Sequence, residues 1–227
     1  MTVPSACDSA PHVLSVNIGV AEPNPYKRTR STGIGKRPVQ RSVEVRRPGP
    51  KRGGLGSGLV GDHIGDTRHH GGDEQAVYAF AREDLDRWER RLGRPLANGA
   101  FGENLTTVGI DPNDSRIGEV WQIGRSVQLQ VTAPRVPCAT FRGWIGEPGW
   151  LKTFAADARS GAYFRVLNPG QICGGDPIGV LHRPSHDVTV SLAHRALLGE
   201  PQLLPMLLAA GEDLPADIAA QANAWTS

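Results

Sequence analysis

Residues 119–138 read EVWQIGRSVQLQVTAPRVPC, and this stretch decides the class of fold. Apolar and polar side chains alternate over residues 119–123 and again over residues 126–133, which is typical of strands with one buried face. The Gly124-Arg125 pair between them predicts a hairpin turn, and Pro134 ends the second strand. The fold is therefore expected to be built around a sheet rather than a bundle of helices.

More elements are predicted outward from this hairpin in both directions. The strongest helical pattern covers residues 73–92, where apolar side chains recur at steps of three and four: Tyr78, Ala81, Leu85, Trp88 and Leu92. Further strands are predicted at residues 12–21, 163–167 and 178–181. Further helices are predicted at residues 150–158, 189–198, 202–210 and 215–225.

The composition changes near Pro184, after which alanine and leucine dominate and strand patterns disappear. We therefore predict a mainly β domain at residues 12–184 and a C-terminal segment of three helices at residues 185–227. The fold class is α+β, mainly β with flanking helices. The leucines of the C-terminal segment, at positions 203, 204, 207 and 208, could fold back on the domain or contact a second subunit.

The composition excludes several classes of protein. The 227 residues carry a net charge of +2, and no apolar run reaches the roughly 18 residues of a membrane span. The first residues lack the basic and apolar segments of a secretory signal. Three distant cysteines, Cys7, Cys138 and Cys173, are too few and too scattered for a disulfide framework. We expect a protein of the cytoplasm, a reducing compartment, with no membrane association.

A strongly basic segment covers residues 27–52, which hold ten of the 25 lysines and arginines and only Glu44 against them. Such a patch attracts phosphate or another polyanion, and it is equally typical of a mobile surface loop. Within it, residues 30–36 (RSTGIGK) combine the hydroxyls, glycines and cations that a phosphate site needs. The segment contains no aromatic side chain to stack on bases, so we do not expect a nucleic-acid partner.

Cys138 is the foremost candidate for chemistry. Two prolines constrain the backbone before it, and Arg135 lies three residues upstream. A nearby cation lowers the pKa of a thiol and favours the thiolate, which is the nucleophilic and metal-binding form. The alternative is that Cys138 is a small buried hydrophobic residue, as free cysteines often are.

Histidines and carboxylates are concentrated at residues 61–73, which contain His63, His69 and His70 with three aspartates. These side chains could bind zinc, but their spacing matches no standard zinc signature. The interpretation we favour is a polar loop in which glycines turn the chain and His70 anchors it by hydrogen bonds. A second polar turn at residues 101–106 carries Asn104, whose amide can bind a heterocycle or a phosphate.

In this order, the motifs of the chain resemble those of the MOSC domain family. The resemblance covers about residues 12–198, and its tail is similar to the YiiM-like subgroup. The motifs that carry it are GLVGD at 58–62, HGGD at 70–73, QAVY at 75–78, FGENL at 101–105, IGE at 117–119, the stretch 130–138 and SHDVTV at 185–190.

The resemblance implies a compact β-barrel with flanking helices that binds the molybdenum cofactor (molybdopterin). Cys138 matches the family position whose thiolate is a ligand of molybdenum, and a soft thiolate suits a soft, sulfur-ligated metal. The resemblance also assigns groups that contact the cofactor. These are Thr32 and Lys36 at its phosphate, Asn104 and Arg135 at the pterin or the metal oxo groups, and His70, Gly71 and Gly72 at the rim.

The implied activity is an oxidoreductase reaction that reduces N-hydroxylated compounds, such as hydroxylaminopurine-like base analogues. Cys138 and Arg135 are the expected catalytic residues, since Arg135 could stabilise negative charge on the leaving oxygen. His70 and Asp62 are only guesses for a general acid. The sequence shows no flavin, nicotinamide or iron–sulfur site, so the electrons are expected from a separate flavoprotein-type reductase.

One alternative of another class stays open, namely a protein that carries or stores the cofactor, or handles sulfur on Cys138, without reducing a substrate. Its motifs would look the same, because binding the cofactor and using it need overlapping residues. The resemblance also implies a homodimer.

Overall fold

The computed structural model describes residues 10–28 and 31–226 of the chain. Its strands are β1 (His12–Ile18), β2 (Glu22–Pro23), β3 (Ser31–Thr32), β4 (Arg37–Val39), β5 (Val43–Val45), β6 (Val77–Ala81), β7 (Leu105–Val108), β8 (Val120–Ile123), β9 (Val127–Pro134), β10 (Ala162–Asn168), β11 (Gly170–Ile172) and β12 (Ile178–His182). Its α-helices are α1 (Arg82–Leu92), α2 (Ala139–Ile145), α3 (Trp150–Asp157), α4 (Val190–Leu198), α5 (Leu204–Leu207) and α6 (Ala216–Thr226). Short 3-10 helices lie at Asp73–Gln75, Pro201–Leu203 and Leu208–Asp213.

Eight strands form one sheet in the order β12-β8-β9-β10-β6-β7-β1-β4. Neighbouring strands are antiparallel except β6 and β7, which are parallel and are connected through α1. The predicted hairpin is confirmed, since β8 and β9 pair with Ile123 opposite Val127. Gly124 turns the chain there with φ at +58°, a conformation that favours glycine.

The predicted α+β class is confirmed, and the predicted barrel is only partly closed by hydrogen bonds. One bridge joins His12, at the start of β1, to Pro177, just before β12, and the Val13 N–H donates to the Asp176 carbonyl at 2.9 Å. Over the described residues this contact does not extend into a ladder, because β4 pairs with β1 from Val16 onward. The sheet is therefore curled, with its two ends in contact.

The helix predicted at residues 73–92 is wrong over its first half. A 3-10 turn covers Asp73–Gln75, β6 covers Val77–Ala81, and α1 begins only at Arg82. Every residue of β6 is buried, because the strand lies inside the sheet with both faces covered. A strand buried on both faces does not alternate between apolar and polar residues. The apolar side chains of β6 and α1 together therefore happened to follow the spacing of one helix.

Two hydrophobic clusters hold the fold. The larger one joins the sheet to the C-terminal helices, with fully buried side chains such as Trp121, Leu129 and Leu207. The smaller one is aromatic and lies among α1, α2, α3 and β6. Its members are Tyr78, Phe80, Leu85, Trp88, Leu96, Phe101, Phe141, Ile145, Trp150 and Phe154.

The C-terminal helices pack on the sheet of the same chain. Leu204 and Leu207 are buried in the larger cluster. Thr189, the first residue of the helix predicted at 189–198, caps α4 by accepting the Leu192 N–H at 3.1 Å. The leucines considered for a dimer contact are thus buried or partly buried within one chain. Within the described residues, each helix falls short of the length and apolar character needed to cross a lipid bilayer.

Candidate functional site

An open cleft of about 720 Å³ lies where six separate segments of the chain meet. They are the residues around β3, the loop at residues 63–71, the start of β6, the turn at residues 102–104, the segment that follows β9, and the start of β10. The fold brings seven of the eight predicted site residues to its wall: Thr32, Lys36, His70, Gly71, Asn104, Arg135 and Cys138. Gly72 does not line the cleft.

Cys138 lies half-buried at the residue that precedes α2, a helix that the sequence did not predict. Burial by itself would raise the pKa of its thiol. A hydrogen bond from the His70 side chain, the nearby Arg135 guanidinium and the Phe141 N–H outweigh burial and lower the pKa to about 6. Cys138 is therefore mostly a thiolate at neutral pH.

Arg135 is buried beside Cys138 and is held by carbonyl and aromatic contacts. Its guanidinium donates a hydrogen bond to the Phe101 carbonyl and lies 4.1 Å from the ring centre of Phe141 and 4.9 Å from that of Tyr78. Burial opposes its charge, but Tyr78, Tyr163 and Cys138 raise the pKa of Arg135 above its ordinary value. Within the described residues no carboxylate pairs with Arg135, so its charge stays available to an anion.

Two tyrosines that the sequence did not assign to a site form one wall of the cleft. Tyr78 of β6 and Tyr163 of β10 lie opposite each other in the sheet, with ring centres 4.9 Å apart. Burial raises the pKa of both phenols, so they stay protonated. The Tyr78 hydroxyl donates a hydrogen bond to the Ser160 carbonyl at 2.6 Å. The two rings are brought to the same cleft by the pairing of β6 with β10, which the sequence does not show.

Lys36 and Asn104 line the cleft, but both are bonded to a buried carboxylate behind it. Asp62 forms an ion pair with Lys36 and accepts Asn104 Nδ2 at 3.0 Å. It also accepts the Ser57 hydroxyl at 2.7 Å and the Gly19 N–H at 2.8 Å. The Asp62 side chain is fully buried and its oxygens serve as acceptors, so it does not fit the role of proton donor to a ligand.

The opposite end of the cleft is made by hydroxyls and by closely packed backbone. Thr32 Oγ1 accepts the Ile34 N–H at 3.1 Å, and Ser31 shares a hydrogen bond of 2.9 Å with His63 Nε2. Lys27, which we did not single out as a ligand, pairs with Asp66 at 2.7 Å. Two hydroxyls and the Lys27 ammonium therefore lie at this part of the cleft, whereas the predicted phosphate ligand Lys36 is paired with Asp62. The phosphate site remains a prediction, and residue 30 lies outside the described residues.

The loop at residues 61–73 supplies His70 and Gly71 to the wall of the cleft. His70 reaches Cys138, and Gly71 and Gly72 have φ values of +76° and +75°. A Cβ on Gly72 would collide with the backbone of Lys51, which explains why Gly72 faces the protein rather than the cleft. Over residues 10–28 and 31–226, no three His, Cys, Asp or Glu side chains converge to bind a metal ion.

The chain is similar to proteins of one family. The family model described as "MOSC domain" matches residues 66–179. A Bacillus subtilis (strain 168) protein named "Uncharacterized protein YflK" is 34% identical over 184 residues, which are 81% of this chain and 79% of that protein. A Gibberella moniliformis protein named "Reductase" is 35% identical over 132 residues, which are 56% of this chain but only 23% of that protein.

A solved structure shares the architecture over nearly the whole chain. The crystal structure of YiiM from Geobacillus stearothermophilus superposes with a TM-score of 0.75 and 26% sequence identity. The match covers 96% of this chain and all of that one. The fold predicted from the motif order is thus the fold observed.

Proposed function

Because the chain belongs to the MOSC domain family, we propose that it is a molybdenum cofactor-dependent reductase of N-hydroxylated compounds. One observation carries the proposal: a thiol with a pKa of about 6 faces an open cleft beside a buried arginine that no carboxylate neutralises in the described chain. A thiolate is a ligand for a soft metal, and an unpaired buried guanidinium binds anionic oxygens.

The residues of the cleft fit an anionic, sulfur-ligated group. Cys138 would hold the metal, and Arg135 would hold oxygens bound to it. Ser31 and Thr32, with the Lys27 ammonium nearby, would hold a phosphate at the other end. Gly33 and Gly65 let the segment around β3 and the loop at residues 63–71 pack closely, because a Cβ on either glycine would collide with a backbone carbonyl of the other segment.

When bound, the cofactor would supply two-electron redox chemistry. The overall reaction converts an N–OH group, two electrons and two protons into an N–H group and water. The two electrons would come from a separate flavoprotein-type reductase. The chain's own part is to bind and orient: Arg135 would stabilise charge on the departing oxygen, and the partly exposed Tyr163 ring would contact a flat substrate.

The test compares Cys138→Ser with Cys173→Ser, a control at the second half-buried cysteine, which does not line the cleft. We expect molybdenum near one atom per chain in the wild type and in Cys173→Ser, and less than a tenth of that in Cys138→Ser. Reduction of an N-hydroxylated purine by chemically reduced protein should follow the molybdenum content. The measurements are elemental analysis and a product assay.

Equal molybdenum in all three proteins, or none in any, would contradict the proposal. Molybdenum that depends on Cys138 without any reduction of N-hydroxylated compounds would favour the carrier function instead.

A further inference from the structure

Gln75 carries an unused hydrogen-bonding group at the wall of the cleft. It ends the 3-10 turn Asp73–Gln75, and its side chain lines the cleft together with Tyr78 and Tyr163. Its Oε1 atom is buried and has no hydrogen-bond partner anywhere in residues 10–28 and 31–226. Over the same residues its amide nitrogen makes no hydrogen bond either, although it is not buried.

The backbone on both sides of Gln75 is fixed. The Gln75 N–H donates to the Gly72 carbonyl at 3.0 Å, and the next N–H, that of Ala76, donates to Phe164 at 3.0 Å. The backbone carbonyl of the preceding residue, Glu74, accepts a hydrogen bond from the Thr132 hydroxyl at 2.6 Å. The Glu74 carboxylate forms an ion pair with Arg165 at 2.5 Å. The side chain that carries the carboxamide thus starts from a fixed position of the backbone.

Gln130 of β9 shows how a glutamine is used when it holds the fold together. Gln130 donates to Asp213 at 3.1 Å and to the Gly118 carbonyl at 3.3 Å, and it accepts from Arg165 at 3.3 Å. A buried amide oxygen without a partner is unfavourable, so groups of this kind are usually satisfied by water or by a ligand. Gln75 therefore differs from a glutamine that only holds the fold together.

We propose that the Gln75 carboxamide recognises the hydrogen-bonding edge of a planar nitrogen heterocycle bound in the cleft. A carboxamide offers an acceptor and a donor side by side, and a half-turn about its last bond exchanges them. It is complementary to a ring edge that carries an adjacent N–H and C=O, or an amidine. The partly exposed ring of Tyr163, which packs against the buried Tyr78 with ring centres 4.9 Å apart, offers an aromatic surface to a flat ligand.

This inference rests on the proposed function for the source of the heterocycle. The same ring edge occurs in the pterin of the cofactor and in an N-hydroxylated purine substrate. Both are therefore used as probes.

The experiment uses Gln75→Met, which keeps the length of the side chain and removes its hydrogen bonds, with Gln75→Ala as a second variant. Gln221→Met, at an exposed position of α6, is the control. Cofactor-free proteins, from a host that cannot make the cofactor, are titrated with free pterin and with 6-hydroxylaminopurine. The readouts are the dissociation constants and the melting temperature of each unliganded protein.

We expect the dissociation constant of at least one probe to rise about fivefold to tenfold in both Gln75 variants, the usual effect of one hydrogen bond. The melting temperature of unliganded Gln75→Met should equal or exceed that of the wild type, because an unpaired buried acceptor is removed. An effect on pterin alone assigns Gln75 to the cofactor, and an effect on 6-hydroxylaminopurine alone assigns it to the substrate.

The inference is overturned if the wild type binds neither probe, if both dissociation constants stay within twofold of the wild type, or if Gln75→Met only melts at a lower temperature. Molybdenum content of the same proteins from an ordinary host separates the two proposals. If the wild type contains molybdenum and the Gln75 variants bind both probes as the wild type does, this inference is refuted and the proposed function is not. If the Gln75 variants bind a probe more weakly but protein from the ordinary host contains no molybdenum, the proposed function is refuted and this inference is not.

Discussion

Cys138 and Arg135 show how two residues acquire reactivity from their surroundings. Three positions separate them in the chain, yet the acidity of the thiol also depends on His70, which comes from a loop 68 positions earlier. The sequence identified Cys138 and Arg135 as a pair because a cation three residues from a cysteine is visible in the chain. The hydrogen bond from His70 is a product of the fold.

The acidity of Cys138 can be measured directly on the cofactor-free protein. We expect alkylation of Cys138 by iodoacetamide to follow a titration with a midpoint near pH 6, because the thiolate reacts and predominates above its pKa. Cys173 should react with a midpoint above that of an ordinary cysteine thiol, since burial and the neighbouring Asp176 carboxylate raise its pKa. Peptide mass spectrometry at a series of pH values reads both sites.

Replacing His70 tests the cause of this acidity. In His70→Ala the midpoint for Cys138 should move upward, toward the ordinary value of 9.0, whereas His69→Ala at the exposed neighbouring position should leave it near pH 6. A midpoint near pH 9 in the wild type would contradict the proposed thiolate. An unchanged midpoint in His70→Ala would show that Arg135 and the Phe141 N–H suffice.

At the scale of elements, glycines let two segments of the chain approach closely at the cleft. A Cβ on Gly33 would collide with the His63 carbonyl, and a Cβ on Gly65 would collide with the Ser31 carbonyl. The strand β3 and the loop at residues 63–71 are thus in backbone contact, and any side chain between them would push the two walls of the cleft apart.

We expect Gly33→Ala to reduce the free energy of unfolding by about 1–3 kcal/mol, the usual effect of overpacking, and to weaken retention of the cofactor. Urea denaturation and molybdenum content are the measurements. The control is Gly179→Ala in β12, where nothing lies within 4 Å of an added Cβ. Equal stability of Gly33→Ala and Gly179→Ala would mean that the loops can separate without cost.

At the scale of the whole molecule, the C-terminal helices and the sheet share one hydrophobic cluster. Leu207 is fully buried in that cluster although it lies beyond the predicted boundary near Pro184. The division into residues 12–184 and 185–227 remains a prediction about folding units. The shared core makes us expect a single cooperative transition.

Leu207→Ala should lower the free energy of unfolding by about 2–5 kcal/mol, because it leaves a cavity between α5 and the rest of the larger cluster. Met206→Ala, at a neighbouring position that is 54% exposed, should change it by less than about 0.5 kcal/mol. Urea denaturation is followed by tryptophan fluorescence and by circular dichroism. Two separate transitions would show that the C-terminal segment unfolds as a unit of its own.

The sequence by itself determined the elements whose patterns are local. The β8–β9 hairpin, β10, β12, α3 and the Thr189 cap of α4 follow from alternation, turn residues and capping, which act over a few positions. Motif order also indicated the family, with Cys138 and Arg135 among the site residues. The prediction of a single helix at residues 73–92 was wrong because β6 is buried on both faces. Its sequence therefore lacks the alternation of apolar and polar residues on which a strand prediction depends.

Only the tertiary structure decided which side chains meet. Tyr78 and Tyr163 lie at the same wall because of the register between β6 and β10. Lys36 forms an ion pair with Asp62. The Gln75 amide oxygen has no hydrogen-bond partner among the described residues. These facts depend on contacts between residues tens of positions apart. Such contacts are set by the packing of the sheet and loops, and no local pattern in the sequence encodes them.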